Sequence, residues 1–378
     1  MNNQQIHSTQ QWTDTRVSRN LGIAYPIVQG PLGGLSTPRL TAAVSNFGGL
    51  GSFGAQGLSP SAIGDVISEI RELTPKPFAI NLWISMEDDG AYSSGREAFE
   101  RSLAPLAERF HALGGTLPTY VPYAPTKFED QVRALLDAKP PAFSFIYGVP
   151  PKEILDECRA QGIRLIGTAT TPDEAIVLEQ AGVDVVVASG FEAGGHRGSF
   201  LRSPEESLTG TFSLVPLVVD AVSVPVIAAG GIGDARGIAA AFALGAEGVQ
   251  IGTAFLACDE SGASLLYRHA LLNGDRRRTA LTRGFTGRLS RGLHNQLLEE
   301  LNRPGVEILP YPLQRALVNS LSSLADKAAD PELLPLWAGQ SVSLTSVTEA
   351  NALLHRLVSD VSEIAGPVIR WNSERGSK

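Results

Sequence analysis

The chain is poor in reactive side chains, with two cysteines, two methionines and six lysines among 378 residues. Cys158 and Cys258 stand 100 residues apart with no CxxC, which argues against a disulfide framework and a cysteine zinc site. A block of positive charge is also missing. The formal net charge is −8, from 31 Lys and Arg against 39 Asp and Glu. A nucleic-acid partner is therefore set aside, because neutralising phosphates needs clustered cations. Long hydrophobic runs are absent as well: Gly, Pro or a charge interrupts each one before spanning length, and the first 20 residues are polar throughout. Neither a signal peptide nor a membrane helix is expected, and a reducing, cytoplasmic setting fits the two thiols. No HExxH or comparable spacing occurs, so no metal is expected.

Glycine and proline are plentiful, 39 and 24 residues, and they fall beside short apolar runs at intervals. They punctuate a repeating unit. From Pro141 to Leu256 the chain reads AFSFIYG, PKEILDECRAQG, RLIGTAT, TPDEAIVLEQAG, DVVVASG, TFSLVPLVVDAV, PVIAAGG, DARGIAAAFALG and GVQIGTAFL, strand and helix alternating. The strands are near-continuous apolar runs, as parallel strands covered on both faces require. Upstream, AYPIVQG (24–30), GLGSFG (49–54) and PFAINLW (77–83) add three more, separated by PRLTAAVSNF and SPSAIGDVISEIREL. Eight β/α units predict an α/β fold, a closed (β/α)8 TIM barrel; an open doubly wound sheet is the alternative, but no switch-point fingerprint is visible. Residues 95–140 are too long for one crossover helix and predict a long helix plus an extra segment at LPTYVPYAP. Residues 1–257 form the barrel in this reading. A helical subdomain follows strand 8 over 258–339, from patterns such as ASLLYRHALL, GLHNQLLEELN and YPLQRALVNSLSSLADKA, and 340–378 ends in a helix returning to the barrel.

The active site of such a barrel lies at the carboxyl ends of its strands, with phosphate commonly held after strands 7 and 8. Those turns read Ala228-Ala229-Gly230-Gly231-Ile232-Gly233 and Gln250-Ile251-Gly252-Thr253-Ala254. Their glycines admit an anion to the backbone, and helix starts behind them add a positive dipole end; tight strand-to-helix turns are the plainer reading. After strand 6 comes Ser189-Gly190-Phe191-Glu192-Ala193-Gly194-Gly195-His196-Arg197. Of the six histidines, only His196 follows a strand at the carboxyl face, where it is either an acid/base group or a structural hydrogen-bonding residue. Glu192 reads as an orienting carboxylate. No lysine stands at a strand's carboxyl end to form a Schiff base, and neither cysteine has a base beside it. Gly49-Leu50-Gly51-Ser52-Phe53-Gly54 matches GxGxxG but covers a strand instead of opening a helix, so it lacks the dinucleotide mechanism. The reactive group is expected to be a cofactor.

These motifs resemble the nitronate monooxygenase family, also called 2-nitropropane dioxygenases, which are FMN-dependent barrels. The likeness rests on YPIVQGPLGG, PFAINLW, GFEAGGHRGSF, PVIAAGGIGDARGIAAAFALGAEGVQIGTAFL and TRGFTGRLSRGLHN, with LPYPLQ and LWAGQ further on. The EAGGH and AAGGI pair is shared with flavin-dependent enoyl-acyl-carrier reductases of the same superfamily. Carried over, the resemblance implies FMN against Gly30, Pro31, Leu32 and Asn81, with Ser189, Gly194 and Gly195 alongside. Gly230, Gly231, Gln250, Ile251, Gly252 and Thr253 would hold its phosphate. His196 would be the general base toward a nitroalkane, or would orient a nitronate, and Tyr147, Tyr311 and the Arg288/Arg291 cluster would line the substrate pocket, with an ordinary helix-packing or solvent-facing role as the alternative for Tyr311 and the arginines. The implied reaction joins an alkyl nitronate and O2 to give a carbonyl compound and nitrite. Two positions depart from the family pattern: Ser189 stands where many members carry Gln, and Ile146 where many carry His. An NAD(P)H-dependent FMN reductase of quinones or enoyl thioesters is the competing expectation, and a non-catalytic flavin protein a third. Partners beyond the small-molecule substrate and O2 are not expected, and monomer and homodimer both stay open.

Overall fold

The structure is a computed structural model that describes residues 12–85, 88–91, 93–122, 126–273 and 278–375. Eight parallel strands surround the core: β1 (Ile27–Gln29), β2 (Gly51–Gly54), β3 (Phe78–Trp83), β4 (Ala142–Ile146), β5 (Arg164–Ala169), β6 (Val185–Ser189), β8 (Val226–Ala229) and β9 (Gly248–Ile251). A two-residue strand, β7 (Gly195–His196), falls between the sixth and seventh barrel strands. The barrel order is β1-β9-β8-β6-β5-β4-β3-β2. A parallel bridge between Val28 and Leu50 closes the ring, with Gln29 N–H donating to Leu50 O at 2.9 Å and Leu50 N–H to Ile27 O at 3.0 Å. The buried Gln29 amide reinforces this short seam by donating to Ser52 O at 2.8 Å and accepting from Ser52 N–H at 3.1 Å. The (β/α)8 barrel read from the sequence is the observed fold.

Punctuation works as the sequence suggests. Thr171 caps the helix Pro172–Gln180 by accepting from Glu174 N–H, and Gly182 and Gly245 turn the chain after their helices at φ 81 and 97, where a side chain is disfavoured. β3 is buried at all six positions, so alternation could not have announced it.

Two regions differ from expectation. The long helix foreseen after β3 is three pieces, Arg96–Leu103, a 3-10 turn at Ala104–Leu106 and Ala107–Ala112, because Pro105 has no N–H to continue the α-helical ladder. The last three residues of LPTYVPYAP lie outside the described residues. The extension after β9 is helical at Leu265–Asn273, Gln296–Leu301 and Leu313–Lys327, yet it also carries a hairpin, β10 (Thr279–Thr282) and β11 (Ser290–Leu293). β11 takes the first residues of the GLHNQLLEELN pattern and pairs antiparallel with both β10 and β7. Pairing with β7 crosses some 90 residues of chain, and no local signal records it.

The insertion after β3 and the extension after β9 share a second core. Phe99, Leu106 and Phe110 from the former pack with Phe285, Leu309 and Leu321 from the latter. The final helix, Ala350–Arg375, returns to the barrel and buries Leu353, Leu354, Leu357 and Val361 in its main cluster. No helix among the described residues is long and apolar enough to cross a membrane.

Candidate active site

The carboxyl ends of the barrel strands open into a cavity roofed by the second core. Its wall includes Gly30, Pro31 and Leu32 after β1, Asn81 on β3, Ser189 on β6, Gly194, Gly195 and His196, Gly230 and Gly231 after β8, and Gln250, Gly252 and Thr253 at β9. Twelve of the thirteen cofactor positions expected from the sequence therefore meet in one place. Ile251 does not line it: its side chain is buried, and its carbonyl accepts from Gly30 N–H at 2.8 Å.

Glycine is required here by close approach. A Cβ on Gly194 would lie 2.5 Å from Gly339 N, one on Gly230 2.9 Å from Gly190 O, and one on Gly30 3.3 Å from Gly252 Cα. Gly230 and Gly231 also hold φ 103 and 72. The expected helix dipoles contribute less. Asp234 caps the helix Ala235–Ala243 itself, accepting from Arg236 and Gly237 N–H, and the helix after β9 is only Thr253–Leu256. The glycine backbone of the two turns thus forms this end of the cavity, joined by Gly339, whose N–H donates to Thr253 Oγ1 at 2.9 Å. Glu192 is an orienting group: it accepts from Thr211 N–H at 2.9 Å and from the Thr211 hydroxyl at 3.0 Å, opening the helix Thr211–Ala221.

His196 lies on β7, opposite Ser290 on β11. Its Nε2 is 2.8 Å from Thr286 Oγ1. Trp83 meets the ring edge-on at 4.9 Å between centroids, with Trp337 at 6.2 Å and Tyr311 at 6.5 Å. Burial in this aromatic box lowers the imidazole pKa from 6.5 to about 3, and the Arg288 and Arg315 guanidinium groups push it the same way. What remains exposed of the ring opens onto the cavity, while the lowered pKa favours its neutral form at physiological pH. Its neighbour Arg197 fixes the loop by donating to the carbonyls of Ser189, Thr170 and Ser207. Burial with no carboxylate in contact lowers the Arg197 pKa to about 10.

Tyr147 and Tyr311 are not part of the cavity wall. They clasp Arg288, whose guanidinium carbon lies 4.3 Å from the Tyr147 ring centroid and 4.6 Å from that of Tyr311. Arg288 Nε donates to Asp88 at 2.7 Å and its other nitrogens to Ser85. Desolvation raises the Tyr147 pKa against the opposing pull of Arg288. Arg291 holds Phe191 O at 2.9 Å, bracing the loop against the hairpin. The cation facing the cavity is instead Arg315, which donates to the Tyr311 hydroxyl at 3.2 Å. Sequence reasoning missed Arg315, Gln56, Thr286 and Gly339 as site residues. Arg315 was within reach, one helical turn after Tyr311. Ile146 lines the cavity too, and its Cδ1 would lie 2.2 Å from a Cβ on Gly198. A larger open groove between residues 88–101 and 283–310 lies outside this glycine cradle.

The nitronate monooxygenase family model matches residues 14–360. The chain belongs to that family. A probable nitronate monooxygenase of Staphylococcus aureus (strain Newman) is 39% identical over 355 residues, 93% of this chain and 99% of the relative. Among solved structures, nitroalkane oxidase from Streptomyces ansochromogenes superposes with a TM-score of 0.83 at 36% identity, covering 92% of this chain and 98% of that one. FabK from Thermotoga maritima superposes at 0.71 and 29% identity, over 96% and 99%. Family membership makes the chain an oxidoreductase acting on nitro compounds with a flavin. The residues present fit such a group: a Cβ on Gly30, Gly194 or Gly230 would crowd neighbouring backbone, so glycine keeps those walls open, and the buried Gln56 in the cavity wall has an amide oxygen with no partner among the described residues.

Proposed function

We propose that the protein oxidises alkyl nitronates with O2, giving a carbonyl compound and nitrite, with FMN as its flavin. The observation that carries this reading is a neutral His196 facing the same cavity as the cationic Arg315. Gly30, Pro31, Leu32, Asn81, Ser189, Gly194 and Gly195 would lie along FMN, and Gly230, Gly231, Gln250, Gly252 and Thr253 would receive its phosphate. Ile251 supports from behind. Bound there, FMN supplies the electron acceptor that makes oxygen chemistry accessible.

The chain's own groups favour an anionic substrate. Arg315 attracts the negative oxygens of a nitronate, and Tyr311 fixes the guanidinium by accepting from it. A neutral imidazole imposes no charge of its own and orients those oxygens through its ring nitrogen. Deprotonating a neutral nitroalkane would create a third cation beside Arg288 and Arg315, which the lowered pKa of His196 opposes. Aromatic walls at Trp83 and Trp337 exclude water. Tyr147 and Tyr311 act behind the substrate, holding Arg288 in place.

Nitrite release and oxygen uptake with a preformed alkyl nitronate, compared with the parent nitroalkane, test the reading. A kcat/KM at least a hundredfold higher on the nitronate is expected. His196→Asn should lower kcat/KM on the nitronate at least tenfold by removing the ring that orients its oxygens, and a loss confined to the neutral nitroalkane would instead assign His196 as its base. Flavin that stays oxidised with nitronate under anaerobic conditions but is bleached by NADPH would transfer the assignment to a reductase.

A further inference from the structure

Gln56 is 3% exposed, lines the cavity, and has a side-chain oxygen with no hydrogen-bond partner. Such an orphan in a native interior calls for an explanation, because an unmade hydrogen bond at a buried amide costs about 1–3 kcal/mol. We propose that Gln56 binds the flavin, its carboxamide meeting the imide edge of the isoalloxazine ring. The inference rests on the flavin reading above and assigns a contact that neither the glycine motifs nor the family likeness placed.

Three observations converge on it. The amide is held in one place. A Cβ on Gly33 would lie 2.1 Å from Gln56 Nε2, and one on Gly54 would lie 3.3 Å from Gln56 Oε1, so two glycines shape the slot around the side chain. The backbone beneath is fixed as well. Leu58 N–H closes a turn on Ala55 O at 3.0 Å, and the buried Gln131 amide donates to Gln56 O at 3.1 Å and to Leu58 O at 2.7 Å. A preorganised polar group in a cavity wall is what orients a ligand.

Position in the barrel selects the end of the ligand. The glycine cradle belongs to the turns after β8 and β9, whereas Gln56 follows β2, two strands beyond β9 in the order β9-β1-β2. A ligand whose phosphate rests in the cradle reaches Gln56 with its opposite end. In FMN that end is the ring system, and its pyrimidine half carries an N–H flanked by two carbonyls. With either assignment of amide oxygen and nitrogen, Gln56 presents one acceptor and one donor side by side, the complement of that edge.

The test is a binding cycle between protein and ligand, read by quenching of flavin fluorescence, so no turnover is needed. FMN and 3-methyl-FMN, in which the imide N–H is blocked, are titrated into the apo form of the full chain and of Gln56→Leu. The wild type should bind 3-methyl-FMN about tenfold more weakly than FMN, since two modest hydrogen bonds amount to roughly one decade in Kd. Gln56→Leu should weaken FMN by a similar factor and discriminate between the two ligands less than threefold. Should Gln56→Leu fail to fold, judged by circular dichroism, Gln56→Ala removes the amide without adding bulk beside Gly33 and gives the same cycle. Equal binding of both ligands by the wild type, or full discrimination retained without the amide, overturns the proposal and leaves the flavin reading intact. A wild-type chain that binds no FMN overturns both.

Discussion

His196 Nε2 and Thr286 Oγ1 lie 2.8 Å apart, joining the strand after β6 to the connection between β10 and β11. The hydroxyl is what fixes the ring's rotation, because the other neighbours of the imidazole are aromatic. Thr286→Val should lower kcat/KM on a nitronate about tenfold, the worth of one well-placed hydrogen bond, while leaving FMN affinity unchanged. Thr286→Ser should recover most of the loss. Steady-state kinetics beside a flavin titration separates this positioning role from a general loosening of the site.

The His196 pKa lies below its unfolded value, so between about 6.5 and about 3 the unfolded chain binds a proton that the folded chain refuses. The stability associated with this residue is therefore present above pH 6.5 and is lost as pH falls toward 3. Urea unfolding at pH 7.5 and pH 5 should show the wild type losing about 1–2 kcal/mol more than His196→Asn over that interval. By the same sign, the nitronate kcat/KM should show no histidine titration between pH 6 and 8. A step near pH 6.5 would mean that the ring is better hydrated than its surroundings imply.

Removing Arg315 takes away the cation that faces the cavity. Arg315→Met should raise KM for a small nitronate at least tenfold with a lesser change in kcat, and Arg315→Lys should restore part of the affinity. Inhibition by added nitrite should weaken in parallel. An unchanged KM would show that the nitronate is held by other groups.

Gly194 is pressed against the backbone of Ala338 and Gly339, which has no flexible end to move aside. Gly194→Ala should weaken FMN binding more than tenfold and shift the thermal midpoint of the apo protein by only a few degrees. Fluorescence titration and a melting curve on one preparation check both halves.

Legibility in the sequence followed the distance over which each contact acts. The barrel could be read because units such as Pro172–Gln180 and Ala235–Ala243 carry their own start at Thr171 or Asp234 and their own stop at Gly182 or Gly245. The glycine cradle was legible for a similar reason: Gly230, Gly231 and Gly252 occupy fixed places at strand ends. Tyr147 and Tyr311 were assigned to the substrate wall from residue type, but aromatic rings suit a buried guanidinium equally well, and Arg288 took them. The β7–β11 pairing left no trace in periodicity, since two residues are too few to alternate. Gln56 sits in a plain turn, Ala55–Leu58, and its burial comes from Gly33 and Gln131, neither adjacent in sequence.

The second core shared by the insertion after β3 and the extension after β9 divides the cavity wall between two parts of the chain. Most of the cavity's glycines belong to the barrel, whereas Gly339, Thr286, Arg315 and Trp337 arrive after β9. A bare barrel ending at residue 257 would keep its glycines and lose the partner of His196 and the cation before it. Substitutions confined to Thr286, Arg315 and Trp337 can therefore redirect what the enzyme accepts while the cofactor seat stays constant, so the two walls of one cavity are free to diverge at different speeds.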